Sequence, residues 1–325
     1  MRKIKQAHVA ALFCVLPWFP ALAHAQADYP NRAMKLVVPY TPGLVDNFAR
    51  VVAQHLTERL GQPLVVENRP GANQAIGIEA AAKSAPDGYT LLIGTQTGLV
   101  LNTIARKSVP YDPVRDFAPV SLLFTTPLYL FVTNSVPANS VQQLIALAKA
   151  QPGKLNFGSL GRGSSQQLAA EMFKSSAGID IVHVPYQGSD RAALGLISGD
   201  VQLMFDGGAS VLPQVRAGKL KALASTGEKR TQSQPDIPTM SETVPGFVIA
   251  PWIGLVAPAG VPRPIIDKLN REVVGMLRQP ATREKFAALA ALELTPSTPE
   301  ELGERIRSDF PLWTKVMRQA GIEPE

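Results

Sequence analysis

The residues of this 325-residue chain best suited to chemistry are Gly161-Arg162-Gly163-Ser164-Ser165, which follow a short apolar run and precede a helix-favouring one. Successive backbone N–H groups and two hydroxyls at a helix start can converge on an anion, and Arg162 can pair with a carboxylate. The same residues also make a tight strand-to-helix turn capped by serine, and spacing alone weighs the two readings equally. Asp206 ends the apolar run Val201 to Phe205 and precedes Gly207-Gly208, so it is placed to touch a ligand or a bridging water. Asp46 reads instead as a helix N-cap. His55 and His183 lack a partner at metal-motif spacing, which makes them structural by default, and Trp252 reads as packing.

Several chemistries are disfavoured. A nucleophilic enzyme needs a serine with a base and an orienting acid within reach, and no serine here sits in a Gly-x-Ser-x-Gly elbow. No Walker lysine follows Gly163, and the glycine loops do not match the dinucleotide fingerprint. The only cysteine, Cys14, lies in a predicted leader, so the mature chain has neither a cysteine nucleophile nor a cysteine zinc site. No cofactor is expected, and the leading alternative class, a periplasmic enzyme, ranks below a binding protein. The net charge is +6, and three of those charges (Arg2, Lys3, Lys5) belong to the leader, leaving +3. The rest are spread along predicted helices, as at Lys268, Arg271, Arg278 and Arg283, which argues against nucleic acid and for at most a mild attraction of small anions.

The elements that must position these residues follow one grammar. Leu64 to Thr95 reads strand, glycine loop, helix, turn and strand, a βαβ unit whose loops lie at the carboxyl ends of parallel strands, where open α/β sheets bind ligands. Met34 to Val38 is a strand, Pro39 to Val45 a loop, and a helix then runs to Leu60 with Gly61 closing it. Strands are expected at Leu155 to Ser159, Ile179 to Tyr186, Val201 to Phe205 and Leu220 to Ser225, with helices between them capped by residues such as Ser140 and Ser189. Two apolar runs, Val120 to Thr133 split at Thr125-Thr126-Pro127 and Phe247 to Ala257 broken by Pro251, read as crossovers. The order predicts an α/β protein of two lobes, the first at residues 28–125 plus 248–325 and the second at 126–247. The first 25 residues read as a signal peptide: a basic start, the apolar run His8 to Leu22, and Ala23-His24-Ala25 before Gln26. No later run reaches the ~18 apolar residues of a spanning helix, so an exported soluble protein is expected.

Particular runs resemble a known family. They are Val37-Val38-Pro39-Tyr40 with Pro42-Gly43 and Asp46, Val65 to Ala72 (VVENRPGA), and Pro86 to Leu91 (PDGYTL). Tyr111-Asp112-Pro113 with Asp116 to Val120, and His183-Val184-Pro185-Tyr186 with Gly188, continue the pattern in the same order. Together they are similar to the Bug family of extracytoplasmic solute receptors, of the tripartite tricarboxylate transporter type, over essentially the whole mature chain. The resemblance implies a periplasmic, type II-like Venus-flytrap binding protein with two crossover strands. It also implies a small organic carboxylate as ligand, a membrane permease of the tripartite type as partner, and a monomer. A receptor serving a sensor protein is the second alternative, which a neighbouring permease or sensor-kinase gene would decide.

On the same resemblance, two loops pinch the ligand carboxylate through N–H groups, hydroxyls and waters. They are Tyr40, Thr41, Gly43, Leu44 and Val45 in one lobe and Gly161, Gly163, Ser164 and Ser165 in the other. Asn73, Gln74, Ala75, Thr95, Thr97 and Asp206 surround the rest of the cleft. The chain departs from the family in three places. Leu44-Val45 stand where a glycine is usual, Asn73-Gln74-Ala75 where Gly-Gly-Asn is usual, and Gln167 where histidine is usual. Leu44 and Val45 predict an apolar pocket mouth, and with it a carboxylate that carries an apolar or aromatic body.

Overall fold

The computed structural model describes residues 29–324 except 162, 187, 209, 232 and 288–291. The leader, Cys14 and Arg162 therefore lie outside the described residues. The chain begins with β1 (Met34–Val38), α1 (Leu44–Leu60), β2 (Leu64–Asn68), a 3-10 turn at Ala72–Gln74, α2 (Ala75–Ala82) and β3 (Thr90–Thr95). A π-helical turn, Thr97–Leu101, runs on into α3 (Asn102–Ala105), and β4 (Phe117–Thr125) ends this part. Next come β5 (Tyr129–Thr133), α4 (Val141–Ala150), β6 (Leu155–Ser159), α5 (Ser165–Ala177), β7 (Ile181–Pro185) and α6 (Ser189–Ser198). After β8 (Leu203–Asp206), α7 (Leu212–Arg216) and β9 (Leu220–Ser225), the chain returns through β10 (Trp252–Pro258), α8 (Arg263–Arg278), α9 (Pro280–Ala287), β11 (Glu293–Leu294) and α10 (Pro299–Gln319).

These elements form two sheets, β11-β4-β10-β3-β1-β2 and β7-β6-β8-β5-β9. Each contains three parallel strands, β2-β1-β3 in one and β7-β6-β8 in the other, followed by one antiparallel strand. In both sheets that antiparallel strand is the one the other lobe delivers: β5 continues directly from β4, and β10 follows the return from β9. Both are buried along their whole length, which is why they read as unbroken apolar runs rather than alternating ones. The protein is thus an α/β molecule of two lobes joined by two crossovers.

The crossovers are hydrogen-bonded to each other. The Thr126 N–H donates to the Pro251 carbonyl at 2.8 Å, and the Ile249 N–H to the Thr226 carbonyl at 2.8 Å. The Thr226 hydroxyl accepts from the Leu128 N–H at 2.8 Å and donates to the Ile249 carbonyl. Helix α10 adds a second connection, packing on β4 in one lobe and on α5 in the other. Its Asp309 is buried and accepts from Trp252 Nε1 and Gln96 Nε2, both at 2.7 Å, and from Arg305 Nε at 3.1 Å. Trp252 therefore packs as expected, with its indole N–H tied to α10.

Two capping expectations change. Helix α1 starts at Leu44 with Gly43 as its N-cap, so Asp46 lies inside the first turn and caps nothing. Its carboxylate accepts from Arg50 Nε and from Asn68 Nδ2, both at 2.9 Å, because a residue one turn along and a strand end alongside present charged and amide donors. Ser189 is likewise the first residue of α6 and not its cap, which is Gly188, and its hydroxyl turns to Asp206. Ser140 and Ser164 do cap α4 and α5, accepting from the Gln143 and Gln167 N–H groups. The segment Thr97 to Ala105 is helical although the sequence reading assigns it no element: the hydroxyl that accepts from an N–H at its start belongs to Thr95, which reads in the sequence as the end of a strand.

Candidate functional site

A cavity of about 450 Å³ lies where the two lobes and the C-terminus meet. Its lobe 1 wall comes from Asn73 and from the turn after β3, at Thr97, Leu101, Asn102, Arg106, Lys107 and Ser108. Gly163 closes it from lobe 2, and Ile322 and Glu323 form its C-terminal lip. The cavity thus sits beyond the carboxyl ends of parallel strands, where N–H groups and side chains from several loops converge.

The wall on the lobe 1 side is held by a buried network. Gln74 Nε2 donates to the Tyr40 hydroxyl at 2.9 Å, and the Thr95 hydroxyl donates to Gln74 Oε1 at 2.6 Å. Thr95 in turn accepts from the Gly98 N–H at 2.9 Å, and the Tyr111 hydroxyl donates to the Gly98 carbonyl at 2.6 Å. Burial raises the pKa of Tyr40, with the bonds to Thr95 and Gln74 pulling the other way, so the phenol stays neutral. Asn73 Nδ2 donates to Asn102 Oδ1 at 2.6 Å, and Asn102 Nδ2 returns to the Asn73 carbonyl at 2.5 Å. Ala72, Asn73 and Gln74 all have positive φ, at 47°, 50° and 80°.

Lobe 2 presents a loop already closed on itself. The Gly161 N–H donates to Ser159 Oγ at 3.1 Å, the Gly163 N–H to Gln167 Oε1 at 2.8 Å, and the Ser164 N–H to the Gly161 carbonyl at 3.2 Å. Three of the N–H groups expected to face an anion are thus internally satisfied, and Ser164 Oγ serves the helix as its cap. Ser159 Oγ also meets His183 Nε2 at 2.6 Å, and the imidazole stacks on Phe157. Burial lowers the His183 pKa, and Lys174 lowers it further, so the ring is neutral and fixes the Ser159 hydroxyl. His183 is therefore a satisfied structural histidine. The buried His55 Nε2 has no hydrogen-bond partner among the described residues, and no group of three His, Cys, Asp or Glu side chains gathers there as a metal site.

Of the residues singled out in the sequence, Asn73, Thr97 and Gly163 line this cavity. Tyr40, Gln74 and Thr95 stand behind its wall, and Ala75 is buried at the start of α2. Thr41, Gly43 and Leu44 are exposed and Val45 packs against the lobe 1 core; none of the four lines it. The apolar mouth expected from Leu44 and Val45 is therefore not a wall of this cavity, because α1 begins there and points one side chain to solvent and the other inward. Ser165 opens α5. Asp206 is 3% exposed and its oxygens accept from the Ser189 hydroxyl at 2.7 Å and the Gly208 N–H at 2.8 Å, so it holds the turn after β8 and does not line the cavity. Burial raises its pKa, opposed by those two bonds and aided by Asp190.

Sequence reasoning missed Leu101, Asn102, Arg106, Lys107 and Ser108, as well as the C-terminal lip. A signal existed: the loop after the third parallel strand was named as ligand-facing only as far as Thr97. Asn102 and Arg106 lie one turn apart just beyond it.

The family of tripartite tricarboxylate transporter receptors matches residues 48–309. The chain belongs to that family. It is 38% identical over 305 residues to protein BugT of Bordetella pertussis, covering 93% of each chain. Among solved structures, Rpa4515 of R. palustris, with adipate, is 35% identical with a TM-score of 0.76, covering 92% of this chain and 100% of that one. The periplasmic binding protein BugD is 32% identical with a TM-score of 0.71, covering 91% and 100%. The two-lobed fold of this receptor is thus the family's, and these neighbours are solute-binding receptors rather than enzymes. Among the described residues, no helix of this family member is long and apolar enough to cross a membrane.

Proposed function

We propose that this receptor is exported to the periplasm with its leader cut near Ala25. There it captures a small organic carboxylate between its lobes as a monomer and hands it to a membrane permease of the tripartite type. The observation that carries the reading is the cavity between the lobes, which Asn73 and Thr97 line from one side and Gly163 from the other. Support comes from the adipate bound to Rpa4515, a relative of similar length. We assign residues 28–125 plus 248–325 to lobe 1 and 126–247 to lobe 2, with the paired crossovers at Thr126 and Pro251 as the hinge. Ligand then shifts the equilibrium toward the closed arrangement, because only there do both lobes contact it. Asn73, Thr97, Gly163 and the start of α5 at Ser165 face the ligand, while Tyr40, Gln74 and Thr95 position Asn73.

A thermal-shift screen of carboxylates on the ligand-free mature protein tests the ligand class, with stabilisation by at least one of them expected. Small-angle scattering with the best of them tests closure. A fall in the radius of gyration is expected, and an unchanged value at saturation removes the hinge. Mass spectrometry of the exported protein should place the N-terminus at or near Gln26.

A further inference from the structure

The amide donors around the cavity are already taken. Asn73 and Asn102 bond each other, Gln167 holds the Gly163 N–H, and Thr95 is closed on Gln74. Among the described donor side chains of the lining, those without a hydrogen bond or ion pair are the Thr97 and Ser108 hydroxyls and two cations, Arg106, half-buried, and Lys107, exposed beside it. The backbone of Arg106 is held, since its N–H donates to the Asn102 carbonyl at 3.2 Å where α3 ends. Its charge is felt at the Tyr111 hydroxyl, whose pKa is raised by burial and pulled back by Asn102 and Arg106. One acid, Glu323, sits on the opposite lip of the cavity and pairs with neither cation. In lobe 2, Ser165 and Gln166, just past the cavity-lining Gly163, have N–H groups that no described residue accepts, at the start of a 13-residue helix.

We infer that Arg106, assisted by Lys107, is the specificity-determining anchor for a second carboxylate, so that the receptor selects dicarboxylates over monocarboxylates of the same length. The inference rests on the carboxylate-receptor reading above. One carboxylate takes the free N–H groups at the start of α5, and the other takes the guanidinium, whose planar fork suits a bidentate pair. An apolar tail in the second position would cover a half-buried guanidinium without replacing its water, so the same residue attracts one class and rejects the other. Glu323 keeps the lip from becoming a general anion sink.

Calorimetry on the full mature protein decides it. Butanedioate, hexanedioate and octanedioate are compared, each with the monocarboxylate of the same chain length. At least one diacid should bind about 10-fold or more tighter than its monoacid, a gap of about 1.4 kcal/mol. Arg106→Gln should abolish that gap by weakening diacids, with monoacid affinity rising rather than falling, and Arg106→Lys should keep part of it. Lys107→Gln should narrow it less. Equal binding of diacids and monoacids by the parent, or an equal loss of both in Arg106→Gln, overturns the inference. A parent that binds diacids and monoacids equally leaves the carboxylate reading standing, whereas a parent that binds none of these acids overturns both. If Arg106→Gln melts well below the parent, the Arg106→Lys gap decides, and an unchanged gap in a variant with Lys107→Gln added overturns the assignment.

Discussion

The two lobes share a strand order and differ in how they hold the loops at its carboxyl end. In lobe 2 the turns that need positive φ fall on glycine, at Gly161 (110°), Gly163 (75°), Gly188 (100°) and Gly208 (89°). In lobe 1 a comparable turn falls on Ala72, Asn73 and Gln74, where each side chain costs about 1–2 kcal/mol in the left-handed region. That strain persists because side chains over-determine it: Gln74 bridges Tyr40 and Thr95, and Asn73 is locked to Asn102. One lobe is therefore shaped by which side chains are present and the other by which are absent. A wall of the first kind is rigid and intolerant of substitution, while a loop of the second kind depends on backbone freedom and on two side-chain anchors, Ser159 and Gln167.

Gln74→Leu is the strongest way to break this contrast. It removes one partner each from the buried Thr95 and Tyr40 hydroxyls and should cost about 2–3 kcal/mol, at roughly 1–1.5 for each lost bond. Gln167→Leu frees a single N–H in a half-buried loop that water can reach, and should cost about 1 kcal/mol. Urea unfolding of both variants gives the comparison directly. Equal losses would mean that side chains shape both lobes alike.

Gly163→Val attacks the other side. No atom lies within 4 Å of a Cβ built there, so crowding is not the cost. The cost is the backbone at φ 75°, made worse by β-branching, and should be about 1–2 kcal/mol, with a larger proportional loss of ligand affinity because the residue lines the cavity. An affinity equal to the parent's would remove this loop from the site.

The sequence carried most of the scaffold and only part of the site. Apolar runs broken at Thr125 to Pro127 and at Pro251 marked both crossovers, because a strand buried on both faces cannot be polar and a proline interrupts its ladder. Helix starts were less legible: Asp46 looked like a cap, but the free energy of pairing with Arg50 and Asn68 placed it inside α1. The glycine loop falls between β6 and α5 as the sequence reads, yet its hydrogen-bond state was invisible, since Gln167 reaches Gly163 only after a helical turn forms. Arg106 escaped notice for a related reason. The local cap of the π-helical turn from Thr97 to Leu101 is the hydroxyl of Thr95, which reads in the sequence as a strand end, and without that turn Asn102 and Arg106 have no common face.

Ala72→Gly sharpens the contrast by sign. Ala72 is exposed at φ 47° and makes no side-chain bond, so glycine relieves the strain at a smaller entropic cost and should stabilise the protein by about 0.5–1 kcal/mol. Gly161→Ala, by the same argument, should destabilise by about 1 kcal/mol. Thermal melting separates the two, and a destabilising Ala72→Gly would show that the lobe 1 turn is not strained.

The smallest effect is a pH dependence of opposite sign in the two lobes. Burial raises the Asp206 pKa more than Ser189 and Gly208 lower it, so the folded state binds the proton more readily than the unfolded one, whose aspartates titrate near 3.9. Stability from this group is complete below that value and is lost as pH rises through the higher folded value. Asp46 runs the other way: burial alone would raise it, but the Arg50 and Asn68 bonds prevail and hold it below the usual range. Its contribution is present above the unfolded value and disappears as pH falls through the lower folded one. Asparagine mimics the protonated acid at both sites. Asp206→Asn should therefore match the parent in acid and become relatively more stable as pH rises through the folded value, since the amide can still accept from Gly208 and donate to Ser189. Asp46→Asn should be less stable than the parent near neutrality, with the gap closing in acid. Urea midpoints of both variants across the acidic range measure the two slopes. Parallel slopes would mean that the lobes do not differ in how they hold their buried acids, and that Asp206 is ionised and stabilised by a partner the described residues do not include.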